Sequence, residues 1–396
     1  MRIQGIVDNN VWPAMMGHTV RVWNLYKGLA QRKDVAHVRV IAALKSRERA
    51  VRKEARDGVE IVRLKPWHPS VSAWLERAGL APHFMAAEGY RRFPGTFVRA
   101  WDARADVLEV DSLLLTPLLE HAPAGALRVY GSQNVEIEWF ERVGPRLAQR
   151  ERWAARLAAL ERRALEIADL TIAVSSADRD QFVARYGADA SKIVVVENGF
   201  DAERLRPPTP EEKRGAREAL GLAPEETGLL FLGTDFEHNR KAVADLFTHV
   251  VPVLEEAGAR LWIVGGVSTT FRTRAESEGR GRVRAVPEQS DLTPYLWGAD
   301  VGLNPVTTGA GSNVKLPNYL AAGLDVLSTP FGVRGFERLV PHVAIAPIAE
   351  FQAALGQPFP RLPGRAEALA SYAWGAQANH LGAQFAERVA ARGARA

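Results

Sequence analysis

Short apolar runs alternate with segments of helical spacing along this chain, and they do so in two series. The first series has runs at Ile3–Val7, Val38–Ala42, Val59–Leu64, Asp106–Val110, Leu127–Tyr130, Thr171–Val174 and Ile193–Val196. The second has Leu229–Gly233, Leu261–Val264, Val283–Val286, Asp300–Leu303, Val326–Thr329 and Val343–Ala346. Between them, apolar residues recur at helical spacing, as at Val22, Leu25, Tyr26 and Leu29, or at Trp153, Leu157, Leu160, Ala164 and Ile167. Continuous apolar runs suit strands covered on both faces, and helical crossovers between them dictate parallel pairing. The expectation is therefore α/β, with two Rossmann-like parallel-sheet domains. A chain of 396 residues is also long for a single core. The boundaries read as 1–201 and 202–375, followed by a C-terminal helix over 376–396 that is free to pack back on the first domain. Pro207, Pro208, Pro210 and Pro224 mark 202–227 as a linker, and the charged stretch 45–57 (Arg47, Arg49, Arg52, Lys53, Arg56) reads as an exposed loop or helix. Leu113–Glu120 reads as a helix, and Ser175 with Asp178 has capping-box spacing for the helix that follows.

In open parallel sheets, ligands bind beyond the carboxyl ends of the strands. One such segment, Gly309 to Gly323, has a small-residue loop and then about three expected helical turns closed by Gly323. Free N–H groups at a helix start, two glycines and Lys315 together make a recipe for gripping a phosphate. The plainer alternative is a strand–turn–helix whose glycines only make the turn and whose lysine is solvated. A second polar loop, Gly131-Ser132-Gln133-Asn134-Val135-Glu136, follows another strand end. Glu109 and Asp111 flank a strand end like a metal-binding pair, but no third ligand stands near them, and no metal is expected.

Composition narrows the class. The chain has no cysteine, which excludes disulfides and thiolate metal sites. No apolar run approaches the roughly 20 residues of a membrane span, and the first residues lack the zones of a signal peptide. The expected location is cytoplasmic. Residues 1–200 carry 30 Lys and Arg against 24 Asp and Glu; the remainder carries 21 against 22. The basic first half leaves peripheral contact with an anionic membrane open, whereas a nucleic-acid partner rests on charge alone and is not expected. Residues 66–105 interleave Trp67, Trp74, Phe84, Tyr90, Phe93, Phe97 and Trp101 with arginines. They are either helices packed on the sheet or a membrane-facing region.

Five motifs in order resemble the nucleotide-sugar-dependent glycosyltransferases of GT-B fold, and among them the GT4-like retaining group. They are Gln133-Asn134-Val135-Glu136; Ala168 to Ser175; Val195 to Asp201; Phe231-Leu232-Gly233 with Asn239 and Ala242; and Gly311 to Gly335. The resemblance implies two domains facing a cleft, no cofactor, and a nucleoside-diphosphate sugar and a hydroxyl acceptor as partners. It implies that backbone donors of Gly311, Ser312, Asn313 and Val314 meet the diphosphate, with Lys315 as counter-charge. Arg240 or Lys241 would be a second cation, Val286 and Pro287 would lie near the base, and Asn318 near the ribose. Gly17 and Asn198 would complete the donor side. Gln133 and Glu136 would stand at the transferred sugar, with Trp12, His18 and Glu138 towards the acceptor.

This sequence departs from the group's pattern. Many relatives carry two glutamates where Ala310 and Asn318 stand, and a histidine at the position of Gln133. A glutamine can bond a sugar hydroxyl but cannot act as acid or base. A GT-B partner subunit without catalysis is therefore the competing reading. Glu136 and Glu138 could equally cap the next helix, Asn198 could simply occupy a left-handed turn, and His18 could simply pack at a helix start. A Rossmann dehydrogenase is disfavoured because no Gly-x-Gly-x-x-Gly follows the first strand.

Overall fold

The computed structural model describes residues 1–13, 17–44, 53–143, 148–309 and 312–394. Gly311, Ala310 and the arginines at 47, 49 and 52 lie outside the described residues. The chain forms two compact units, Met1–Asn198 with Trp374–Ala396, and Gly199–Ala373.

The first unit is built on eight strands: β1 (Arg2–Val7), β2 (His37–Ala43), β3 (Lys53–Arg56), β4 (Val59–Leu64), β5 (Val107–Val110), β6 (Leu127–Gly131), β7 (Leu170–Ala173) and β8 (Ile193–Val195). Their order is β3-β4-β2-β1-β5-β6-β7-β8, and every neighbouring pair is parallel except β3 with β4. The apolar runs become strands because helices cover both faces. β1 shows this, with Ile3 and Val7 in one buried cluster and Ile6 in the other. β3 falls in the stretch read as loop or helix. Its residues are half-buried or exposed, so no apolar pattern announces it. Leu113–His121 is a 3₁₀ helix rather than an α-helix, with Pro117 inside it. The C-terminal helix Trp374–Gly393 lays Ala378, Leu381 and Phe385 into the same core as Leu25 and Leu29.

The second unit holds β9 (Thr227–Leu232), β10 (Ala259–Val264), β11 (Val283–Val286), β12 (Val301–Asn304), β13 (Asp325–Ser328) and β14 (Ala344–Ile345). They lie in the order β11-β10-β9-β12-β13-β14, all parallel. The segment read as a linker is partly a helix, Pro210–Leu220. Thr209 and Glu212 close a reciprocal capping box over its start, and Pro210 sits in its first turn, where no N–H is needed. The helix of the Gly-rich stretch is shorter than expected, Lys315–Ala321, about two turns. Gly323 does close it, at φ +89°, with Leu324 N–H bonded back to the Tyr319 carbonyl.

Each sheet admits one tyrosine ring over a glycine of a central strand. Tyr26 lies on Gly5 of β1, and Tyr319 lies on Gly302 of β12, where any Cβ would overlap the ring. Pairing of β9 with β12 ends at Leu230, and the Tyr319 hydroxyl takes the Leu232 N–H at 2.8 Å. Removing that hydroxyl strands a buried donor, which costs about 1–3 kcal/mol. Tyr319→Phe is expected to lower stability by that amount in denaturant titration; an unchanged midpoint would show that Leu232 finds another acceptor.

Candidate functional site

In both sheets, the strand order turns back on itself at one point, between β1 and β5 and between β9 and β12. Loops leaving the two strands there diverge and open a crevice. Some of the candidate residues follow these strands and others follow neighbouring strand ends, and each is described within its own unit.

In the second unit, Lys315 opens the short helix and its side chain turns inward. Its Nζ donates to Asn239 Oδ1 at 3.0 Å and lies 4.3 Å from the centre of the Phe231 ring. Asn239 is held in turn by donating to the Thr234 carbonyl at 3.0 Å. Burial pushes the Lys315 ammonium down to about 7, and among the described residues no carboxylate pairs with it. A desolvated cation without a counter-ion is poised to gain from an arriving anion. Around it, the loop after β12 is stitched to the loop after β13. Asn304 donates to Gly332 O at 2.8 Å, Asn313 donates to the same oxygen at 3.3 Å, and Thr329 donates to Val306 O.

Not every expected donor residue stands ready in the same way. Arg240 and Lys241 are half-exposed and already paired, Arg240 with Asp235 at 2.6 Å and Lys241 with Asp245 at 2.6 Å. Ser312, Asn313, Val314 and Asn318 are half-buried around Lys315, and Val286 ends β11 with Pro287 following.

In the first unit, the loop after β1 carries Asp8 and Asn9. Asn9 donates to Asp8 at 2.9 Å and meets His18 Nε2 at 3.0 Å, while Ser112 donates to Asp8 at 3.0 Å. Beneath lies a buried acidic pair. Burial drives the Glu109 carboxyl up to about 7, against the opposing pull of Tyr26 and Arg21; burial and Glu109 together hold Asp111 well above the carboxylate range. Arg21, Tyr26, Glu109 and Asp111 border a cavity of about 10 Å³, roughly the space of one water. Gln133 donates its amide to Asp111.

Glu136 does not cap the helix that it begins, Glu136–Val143. The carboxylate of Glu161, from the neighbouring helix, accepts the N–H groups of Glu136 at 2.7 Å and Ile137 at 3.4 Å. Burial, and then Glu161, push Glu136 up to about 8. A carboxyl so raised is largely protonated at neutral pH and can donate a hydrogen bond.

Other expectations meet different partners. Asn198 is not in a left-handed turn. Its side chain accepts from Arg21 at 3.1 Å, and Arg21 also ties the carbonyls of Val196 and Glu197. Trp12 packs on Trp23 and lies under Arg56 at 4.1 Å. Glu138 pairs with Arg142 at 2.7 Å along its own helix. Gly17 opens the helix Gly17–Ala30 in ordinary helical conformation, with nothing within 4 Å of where a Cβ would stand. The pairing of Arg21 with the end of β8 and the capping by Glu161 join residues far apart in sequence, so local pattern could not reveal them. A cavity of about 780 Å³ lies elsewhere in the first unit, lined by none of the candidate residues. Among the described residues, no group of three His, Asp or Glu side chains could hold a metal ion.

Residues 16–199 match the family described as glycosyl transferase 4-like domain, and residues 226–355 match glycosyl transferases group 1. The chain belongs to the GT4-like, group 1 glycosyltransferases. Its fold is GT-B. Sucrose-phosphate synthase from Thermosynechococcus elongatus superposes at a TM-score of 0.72, with 18% identity, over 99% of this chain and 100% of that one. An α,α-trehalose 6-phosphate synthase from Burkholderia multivorans gives 0.68 at 14% identity, covering 98% and 99%. HepE from Anabaena, solved with UDP and glucose, gives 0.62 at 15% identity, also covering 98% and 99%. By sequence, D-inositol 3-phosphate glycosyltransferase 2 of Catenulispora acidiphila is 39% identical over 73 residues, 18% of this chain and 16% of that protein. The Actinosynnema mirum D-inositol 3-phosphate glycosyltransferase is 38% identical over 140 residues, 34% of this chain and 32% of the relative. These family members share no more than about a third of their length with the chain.

The depressed basicity of Lys315 has a signature. Between pH 7 and its ordinary 10.5, the unfolded chain binds a proton that the folded chain lacks, so this group makes stability rise with pH across that window. Lys315→Met is expected to flatten the rise, an effect on the order of a few kcal/mol. Denaturant titrations at pH 7 and pH 9.5 measure it; parallel slopes in both proteins would place the lysine in water.

Proposed function

We propose that this chain moves a sugar from a nucleoside-diphosphate sugar to a hydroxyl acceptor with retention of configuration. The observation that carries the reading is Lys315, a buried cation that pairs with no described carboxylate, placed where the strand order of the second sheet reverses. Breaking a glycosyl–phosphate bond delivers the electron pair to a phosphate oxygen. A desolvated ammonium with backbone N–H groups from Ser312 to Val314 stabilises that charge without a metal. The acceptor oxygen bonds the anomeric carbon, and its proton passes to the departing phosphate oxygen, so no strong protein base is required.

The donor side would comprise Ser312, Asn313, Val314, Lys315 and Asn318, with Gly311 one position before Ser312 in sequence, and Val286 and Pro287 beside the base. Arg240 or Lys241 would have to leave its present carboxylate to serve as the second cation, whereas Lys315 pairs with none among the described residues. Gln133, Glu136, His18 and Asn9 would face the sugar and the acceptor. The complexes of HepE with UDP and UDP-glucose make the uridine series the first donors to test. Relatives named for D-inositol 3-phosphate put polyol phosphates on the acceptor panel. Ala310 and Asn318 in place of acids, and Gln133 tied to Asp111, favour a second reading in which the nucleotide binds but no transfer follows.

Calorimetry with UDP, GDP, ADP and TDP, followed by anomer-resolved product analysis, tests both readings. Binding with turnover supports transfer, binding without turnover supports the second reading, and no binding removes both. Lys315→Ala is expected to weaken nucleotide binding about ten- to hundredfold, the range of a charge-assisted hydrogen bond. Because the diphosphate should raise the lysine's pKa, affinity is expected to fall as pH rises from 7 to 9, with proton uptake visible as a buffer-dependent heat.

A further inference from the structure

The region of interleaved aromatic and basic residues divides in two. Tyr90 and Phe97 are buried in the core of the first unit, and Phe84 stacks edge-on against Phe140 and Trp153. Trp67, Trp74 and Phe93 are not buried: they are 60%, 61% and 47% exposed. Trp67 precedes the helix His68–Arg77 in helical conformation, so Trp67, Val71 and Trp74 fall at i, i+4 and i+7 on one stripe. The opposite side of that helix buries His68, Pro69 and Ser72. Phe93 extends the stripe, its ring centred 5.1 Å from that of Trp67. Large apolar rings grouped in water on a half-buried helix need a reason, because single exposed residues are common and clusters are not.

Charge around the stripe indicates what covers it. From Lys65 to Trp101 the chain has five Lys and Arg against two Glu. Lys65 and Arg77 flank the stripe and are exposed. Arg99 is exposed as well, whereas Arg91 and Arg92, just before Phe93, share Glu88 at 3.4 and 2.8 Å. Indole rings partition to the boundary between headgroups and acyl chains, and basic side chains around them favour anionic lipid. Among the described residues, no helix is long and apolar enough to cross a membrane.

We propose that the Trp67–Val71–Trp74–Phe93 face seats this chain on a bilayer surface bearing anionic lipid. The face lies just past the carboxyl end of β4. From the same end of that strand, Arg63 reaches Asn10 at 2.9 Å and the Trp12 carbonyl at 3.1 Å. The face and the loop after β1 therefore share one rim of the first sheet. The proposal needs no donor and no turnover, so it can fail or stand independently of the transferase reading.

The test is cosedimentation of the full chain with vesicles of phosphatidylcholine alone and of phosphatidylcholine mixed equally with phosphatidylglycerol. Partition to the anionic vesicles, weakened by added salt, is expected. Trp67→Ser combined with Trp74→Ser should lower it by roughly tenfold or more. Val71→Glu, which places a carboxylate mid-stripe, should act in the same direction, and thermal melts with circular dichroism would show that both variants stay folded. Failure to bind anionic vesicles at low salt would overturn the proposal, as would equal partition of wild type and variants. A double variant whose mass in light scattering drops from dimer to monomer would assign the face to contact between copies and overturn it as well.

Discussion

Parallel pairing fixes where chemistry can occur in this chain. Within each parallel run the strands leave the sheet on the same side, so the residues that follow them gather on one rim. At the point where strand order reverses, the two central loops part. Asp8, Asn9, Asp111 and Ser112 meet there in the first unit, and Asn239, Asn313 and Lys315 in the second. Their separation in sequence is large, yet none needed a special contact to be brought together. The direction of the backbone hydrogen-bond ladder did it.

Burial then sets the electrostatics, and it acts on the two units with opposite sign. It raises Glu109, Asp111 and Glu136 of the first unit and lowers Lys315 of the second. In each case the charged form is disfavoured because water has been removed and full compensation is lacking. The first unit thereby holds protonatable carboxyls near neutrality, suited to hydrogen-bonding hydroxyls. The second holds an ammonium that would become fully charged only beside an anion. Asp102 of the same first unit goes the other way: the Arg104 N–H and pairing with Arg2 outweigh burial and lower it.

The strands were legible because most are covered on both faces and leave unbroken apolar runs. β3 was not, since its residues sit at the sheet edge in water. The prolines of 202–227 were read as a break, although Pro210 follows a Thr209 cap and starts a helix. For the site, the order of motifs identified the family and singled out the loops that carry the candidate residues. It could not show that Lys315 turns inward to Asn239, that Asn198 is held by Arg21, or that Glu161 caps the helix of Glu136. Those facts depend on side-chain direction and on partners 25 to 177 positions away. The aromatic segment showed a subtler ambiguity. Composition offered packing or exposure as alternatives, and the fold divides the rings between both.

The two tyrosines resting on strand glycines carry a consequence for inheritance. Gly5 under Tyr26 and Gly302 under Tyr319 leave no room for a methyl group while the ring is in place. Neither partner can enlarge by itself. In diverging descendants of this chain, positions 5 and 26, and positions 302 and 319, are expected to drift as linked pairs, each glycine gaining a side chain only after its tyrosine has shrunk.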